Sequence, residues 1–210
     1  FGPTRPCEAP LDFAHWTEMG ASSGLPIRPD DGRPTEEATY LVVDDFDQDG
    51  DLDLLTSVFG LSEEGFPEPV TLHTWMDDHF ETTDLGVEAL WQPTLGDVDG
   101  DGDRDVILAG SDAWLENDNG ALIESTLVGI DAARWPFTRM FSPIDLNQDG
   151  HLDLYGATTH PDGDAESMRD YIAWGQSDGR FDVDRDAHPS NDGGMAFSAQ
   201  WLDWTGDGHP

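Results

Sequence analysis

Asp45-Phe46-Asp47-Gln48-Asp49-Gly50-Asp51-Leu52-Asp53-Leu54 places an acid at every odd position through the ninth and a glycine at the sixth. Three other stretches align with it. They are Asp97-Val98-Asp99-Gly100-Asp101-Gly102-Asp103-Arg104-Asp105-Val106, Asp145-Leu146-Asn147-Gln148-Asp149-Gly150-His151-Leu152-Asp153-Leu154, and Asp203-Trp204-Thr205-Gly206-Asp207-Gly208-His209, which stops at Pro210. The starts are 52, 48 and 58 residues apart. A period near 50 suits a four-stranded propeller blade and exceeds most helical repeats.

The flanks read as strands. Thr39 to Val43, Trp135 to Ile144 and Met195 to Leu202 precede the loops, and Leu54 to Val58, Val106 to Ala109 and Leu154-Tyr155 follow them. These runs are short, β-branched or aromatic, and bounded by glycine. Each repeat then offers a third run with a tryptophan (Val70 to Trp75, Ala113-Trp114-Leu115, Tyr171 to Trp174), a polar turn, and a fourth run opened by Phe80, Leu122 or Phe181. Sustained 3.6-residue periodicity is missing, so the expected class is all-β, with blades of four antiparallel strands. Trp75, Trp114 and Trp174 are expected at one equivalent place in each repeat, packing between blades. Trp91, Trp135 and Trp201 precede loops and are read as core too.

The loop pattern is hard-cation chemistry. Ca²⁺ takes roughly 6–8 oxygen ligands. Acids at positions 1, 3, 5 and 9 supply oxygens, glycine at 6 permits a backbone reversal, and position 7 offers its carbonyl. Position 7 therefore varies (Asp51, Asp103, His151, His209), and position 3 needs only a short oxygen side chain (Asp47, Asp99, Asn147, Thr205). The candidate ligands are Asp45, Asp47, Asp49, Asp51 and Asp53; Asp97, Asp99, Asp101, Asp103 and Asp105; Asp145, Asn147, Asp149, His151 and Asp153; and Asp203, Thr205, Asp207 and His209. Three to four Ca²⁺ ions are expected. A helix-loop-helix calcium loop would need an acid at position 12, where Thr56, Leu108 and Gly156 stand.

On these motifs the chain from about Thr39 to Pro210 resembles the FG-GAP/VCBS repeat family, the calcium-loop blades of integrin α-like propellers. Phe59-Gly60 sits where the family often places Phe-Gly; the later repeats carry Ala109-Gly110 and Tyr155-Gly156 instead. Trp16-Thr17-Glu18-Met19 to Gly24-Leu25 looks like the opening of propellers of the ASPIC/UnbV and cartilage-acidic-protein type. The resemblance implies a propeller of seven blades, of which this sequence supplies about three and a half. The expected organisation is an irregular segment over 1–38 and a partial propeller over 39–210, with repeats near 39–92, 93–140, 141–198 and 199–210. The remaining blades are expected in a continuing or second chain. The start at Phe1, without an apolar leader, suggests a processed or excised product.

Charge narrows the partners. The 210 residues hold 45 Asp+Glu against nine Lys+Arg, for a net charge of −36. Such a surface repels nucleic acid and anionic lipid, and no apolar run reaches the ~18 residues of a membrane span. A lone Cys7 excludes an internal disulfide framework. Calcium loops of this kind fill where calcium is about millimolar, which points to the extracellular space, the cell surface or the periplasm.

Function is then read as an extracellular, calcium-stabilised binding or adhesion module whose ligand is a protein or glycan. The alternatives are the scaffold of a secreted enzyme and a structural subunit of a surface assembly. No residue is assigned to catalysis. A Gly-x-Ser-x-Gly nucleophile motif is missing, and without lysine a phosphate-binding Gly-Lys loop is impossible. Of the histidines, His73 and His79, near Asp77 and Asp78, suggest either a small metal or acid/base site or simply exposed turn residues. The longer connections, Leu61 to Pro69 and Gly156 to Tyr171, are where specificity is expected.

Overall fold

The computed structural model describes residues 39–58, 69–89, 91–131, 138–159, 169–186, 196 and 199–206. Twelve strands form three antiparallel sheets, with no helix among the described residues. The first sheet is β1 (Thr39–Asp44), β2 (Asp53–Val58), β3 (Pro69–Met76) and β4 (His79–Glu88). The second is β5 (Pro93–Gly96), β6 (Asp105–Leu108), β7 (Ala113–Asp118) and β8 (Ala121–Thr126). The third is β9 (Thr138–Ile144), β10 (Asp153–Thr158), β11 (Tyr171–Gly175) and β12 (Phe181–Asp184). In each, consecutive strands are neighbours. This is the build of a propeller blade, and it bears out the all-β reading.

The sheets stack face to face. Strand side chains alternate between faces, so β6 divides its run between two cores. Val106 and Leu108 meet Leu55, Val70 and Phe46 of the first sheet. Ile107 and Ala109 meet Phe141, Leu154 and Tyr171 of the third. A strand buried on both faces has no polar alternation, which is why Val106-Ile107-Leu108 reads as a continuous apolar run. Beyond the third sheet, Tyr155, Ala157 and Ile172 pack against Ala196, Ala199 and Trp201. The opposite outer face, on β1, leaves Leu41 57% and Val43 42% exposed.

First strands adjoin first strands, β1 beside β5 and β5 beside β9. Each aspartate-rich loop joins the first strand of a sheet to its second. All three loops therefore emerge at one end of the molecule, as do the β3–β4, β7–β8 and β11–β12 hairpins. The connections from second to third strand emerge at the other end. Most of those in the first and third sheets, with Phe59-Gly60 and the specificity segments assigned to them, lie outside the described residues, as do residues 1–38.

Pairing corrects the tryptophan alignment. Leu55, Ile107 and Tyr155, equivalent along the second strands, face Leu72, Trp114 and Ile172. Trp114 thus matches Leu72 and Ile172, whereas Trp75 matches Asn117 and Gly175, and Trp174 matches Thr74 and Glu116. Only Trp114 of the three is buried. The tryptophans looked equivalent because each precedes a hairpin, but Trp75 stands one residue before the last residue of its strand and Trp114 four before, although both turns have two residues.

Candidate metal centre

The ninth loop position anchors the whole arrangement. Asp53, Asp105 and Asp153 open the second strands and are 1%, 1% and 0% exposed. In each, one carboxylate oxygen accepts from the N–H of the second loop residue: Phe46 at 3.0 Å, Val98 at 2.7 Å and Leu146 at 2.9 Å. The other accepts from the third strand: Trp75 N at 2.8 Å, Asn117 N at 2.9 Å and Gly175 N at 2.8 Å. Charge-assisted bonds of this kind are roughly twice as strong as neutral ones. They pin loop and sheet together before any ion is considered.

The remaining acids curl the loop around itself. At position 1, Asp45, Asp97 and Asp145 accept from the N–H of the sixth-position glycines Gly50, Gly102 and Gly150, at 3.0, 3.2 and 3.0 Å. Position 3 accepts from position 5, and position 5 from position 7. Asp47 takes Asp49 N at 3.2 Å, and Asp49 takes Asp51 N at 2.9 Å. The same pair of bonds recurs at Asp99 and Asp101, and at Asn147 and Asp149. In the first two loops these short side-chain turns use a single oxygen of each aspartate. The backbone turns left-handed twice. The glycines at 6 have φ of 99°, 103° and 88°, and position 4 does the same at Gln48 (61°), Gly100 (81°) and Gln148 (62°).

Carboxylate oxygens therefore converge. In the first loop, atoms of Asp45, Asp47 and Asp49 lie within 4.8 Å of one another; in the second, those of Asp97, Asp99 and Asp105 do so. Partial desolvation, then the like charges of Asp53, Asp49 and Asp45, raises the Asp47 carboxyl above its ordinary range, against the Asp49 N–H bond. Asp99 is raised by desolvation and by Asp101 and Asp97. Burial pushes Asp105 up to about 6, with Asp99 and Asp101 adding to the shift. Asp45 Oδ1 is buried and has no hydrogen-bond partner among the described residues. An orphaned, desolvated carboxylate oxygen beside two more carboxylates costs stability unless a cation joins it. The donor set, all hard oxygen with several carboxylates, suits a divalent cation such as Ca²⁺.

The third loop has the same backbone but a different centre. Asn147 turns its amide onto Asp149, with Nδ2 donating to Oδ2 at 3.0 Å. The His151 N–H, followed by that amide, draws the Asp149 carboxyl below its ordinary range. Three acids do not meet there as they do in the first two loops. In the fourth, Asp203 Oδ1 accepts from Gly206 N at 2.5 Å and Thr205 Oγ1 at 3.4 Å. Asp207 and His209 lie outside the described residues. At position 7, Asp51, Asp103 and His151 give their N–H groups to position 5, as set out above.

Neighbouring loops are also tied to one another. Arg104 of loop two pairs with Asp44, just before loop one, at 3.1 Å. Asn117 donates its side-chain amide to the Phe46 carbonyl at 3.1 Å. Gly120 sits so close to Asp47 that an added Cβ would stand 3.1 Å from its Cα.

The histidine site is not assembled. His73 is a buried strand residue whose two ring nitrogens bond Thr56 Oγ1 at 3.1 Å and Thr82 Oγ1 at 2.9 Å. Burial lowers its pKa. His79 lies in the exposed turn with Asp78, at 2.8 Å.

The FG-GAP-like repeat model matches residues 97–156 and 145–210, which is more than half of the sequence. The chain belongs to the FG-GAP-like repeat family. Both matched segments begin at the first aspartate of a loop, the second and the third, whereas the first loop, with its Asp45, Asp47 and Asp49 cluster, lies outside the match. No curated protein and no solved structure matches the chain. The ASPIC/UnbV-like stretch, Trp16 to Leu25, lies outside both the family match and the described residues.

Proposed function

We propose that this FG-GAP-like chain is a calcium-stabilised propeller module, acting outside the cytoplasm as a binding or adhesion unit for a protein or glycan. The observation that carries the calcium reading is the buried, unpartnered Asp45 Oδ1 within a three-carboxylate cluster. When bound, the ion neutralises carboxylates that otherwise repel one another. The residues holding it are Asp45, Asp47, Asp49 and Asp53 in the first loop and Asp97, Asp99, Asp101 and Asp105 in the second. At millimolar calcium and a dissociation constant of about 10⁻⁵ M, each filled loop stabilises by about 2.7 kcal/mol. That affinity favours a calcium-rich compartment. No helix among the described residues is long and apolar enough to cross a membrane.

Thermal unfolding in 1 mM calcium and in excess EGTA tests this. Two filled loops correspond to roughly 5 kcal/mol, or a shift of about 10–20 °C for a chain of this size. An unchanged midpoint overturns the calcium reading.

A further inference from the structure

A cavity of about 440 Å³ opens at the loop end between the second and third sheets. Its walls come from loop two (Asp97, Asp99), loop three (Asp145, His151) and the β11–β12 hairpin (Gln176 to Phe181). Its origin lies in a difference between repeats. At the junction of the first two sheets the hairpin fills the space, because Asn117 reaches the Phe46 carbonyl and Gly120 lies on Asp47. The residue equivalent to Asn117 in the third sheet is Gly175, which has no side chain to send across. Nor does Gly175 have room for one, since a Cβ would stand 2.2 Å from the Leu152 carbonyl oxygen. The hairpin there is also longer. Gln176 N donates to Arg180 O and Gly179 N to Gln176 O, both at 2.9 Å. This closed turn holds Arg180 on the cavity wall.

Arg180 is exposed and makes no ion pair among the described residues. In a chain with 45 acids and nine arginines, an arginine on a cavity wall that forms no ion pair among the described residues is conspicuous, the more so with Asp178 and Asp182 on the same hairpin. Its planar fork matches a carboxylate. The opposite wall is acceptor-rich, yet Asp97 and Asp145 each have both oxygens held by N–H groups of their own loops. Pinned carboxylates with part of their charge satisfied suit hydroxyl donors better than an ammonium group. Ser177 and Gln176 add neutral polar atoms, and Val98 and Leu152 supply an apolar floor. The volume falls in the range of small-ligand sites.

We infer that this cavity binds a sugar acid, with the ligand's carboxylate on Arg180 and its hydroxyls toward Asp145, the cavity-wall aspartate outside the two acidic clusters. The inference rests on the binding-module reading and names the ligand of that module. Calorimetry on the full chain in calcium, with galacturonic acid, galactose and glutamate as probes, tests it. Galacturonic acid should bind at least tenfold more tightly than galactose, which shares most of its hydroxyls but lacks the carboxylate. Glutamate should bind as weakly as galactose. Arg180→Ala should lose tenfold or more with an unchanged melting temperature, and Arg180→Lys should retain part of the affinity because a point charge replaces the fork. Equal binding of galactose and galacturonic acid overturns the proposal, as do preferential binding of glutamate, an intact Arg180→Ala, and absence of any galacturonic acid binding. In the last case a surviving calcium-dependent melting shift leaves the metal reading standing, so the two failures are distinguishable.

Discussion

Loops two and three share a backbone and differ at the centre. Both are pinned by a buried ninth-position aspartate that bonds the loop and the third strand. Both reverse at a sixth-position glycine. Yet loop two brings Asp97, Asp99 and Asp105 within 4.8 Å of one another, whereas in loop three Asn147 spends its amide on Asp149. The fold of the loop and its electrostatic purpose are therefore separable. The ninth-position tether builds the scaffold, and position 3 decides whether carboxylates converge at the centre.

The sharpest way to break this separation is to remove the tether. Asp105→Ala and Asp153→Ala each leave at least two N–H groups, one of them fully buried, without a partner, at a cost of roughly 1–3 kcal/mol per group. Both variants should lose roughly 2–6 kcal/mol in urea unfolding in EGTA, where no ion contributes, and Asp105→Ala should lose more in calcium because loop two also loses a ligand. If EGTA abolishes the cost, the ninth-position aspartate acts only as a ligand and not also as a tether.

Exchange at position 3 should move affinity while sparing the scaffold. Asn147→Asp adds a carboxylate to loop three and frees Asp149, so its cation affinity should rise about tenfold, or 1.4 kcal/mol. Asp99→Asn should weaken loop two by a similar factor. The Gly102 and Gly150 amide resonances report each loop separately during a calcium titration. Reciprocal shifts sharpen the comparison, and no change at either loop breaks it.

The propeller build was legible because four in-register loops fix where each blade begins, and short apolar runs between glycines could only be strands. The acidic clusters of the first two loops were legible from the same spacing. Other features were hidden. The double hydrogen bonding of Asp53, Asp105 and Asp153 depends on a strand 12 to 22 residues away, across connections of unequal length. A ninth-position acid thus reads simply as a ligand. Trp75, Trp114 and Trp174 misled because a tryptophan near a hairpin need not stand at a fixed distance from its turn: Trp114 lies three residues farther from its turn than Trp75 does. His73 reads as a turn histidine beside Asp77, but it is a buried residue of β3 because Thr56 and Thr82 supply its partners across the sheet. The left-handed bend at position 4 had a partial signal in Gly100 and Gly206, masked by Gln48 and Gln148 in the other two loops.

Acidity should separate the loops more gently. Asp105 has a folded pKa near 6, above its unfolded value near 4, so the metal-free folded state takes up the proton first. Its contribution to stability therefore grows as pH falls through about 6 and levels off below about 4. The cation must displace that proton, so loop two should lose calcium affinity between pH 7 and 5.5. Asp149, drawn downward, holds loop three in its ionised form to lower pH. Calcium titrations at the two pH values, read at Gly102 and Gly150, should show the larger loss at Gly102. An equal loss at both would mean the difference at position 3 does not reach the protonation of the loops.

The smallest effect concerns what the loops have in common. Position 4 is left-handed in every described loop, and a side chain there costs about 1–2 kcal/mol that glycine avoids. Glycine in turn gives back roughly 0.5–1 kcal/mol through the greater freedom of the unfolded chain. Gln48→Gly and Gln148→Gly should each stabilise by up to about 1 kcal/mol, with the same gain in calcium and in EGTA because neither glutamine is a cation donor. A gain confined to calcium would show that the bend at position 4 is set by the ion. The left-handed backbone would then belong to the occupied loop and not to the chain that forms it.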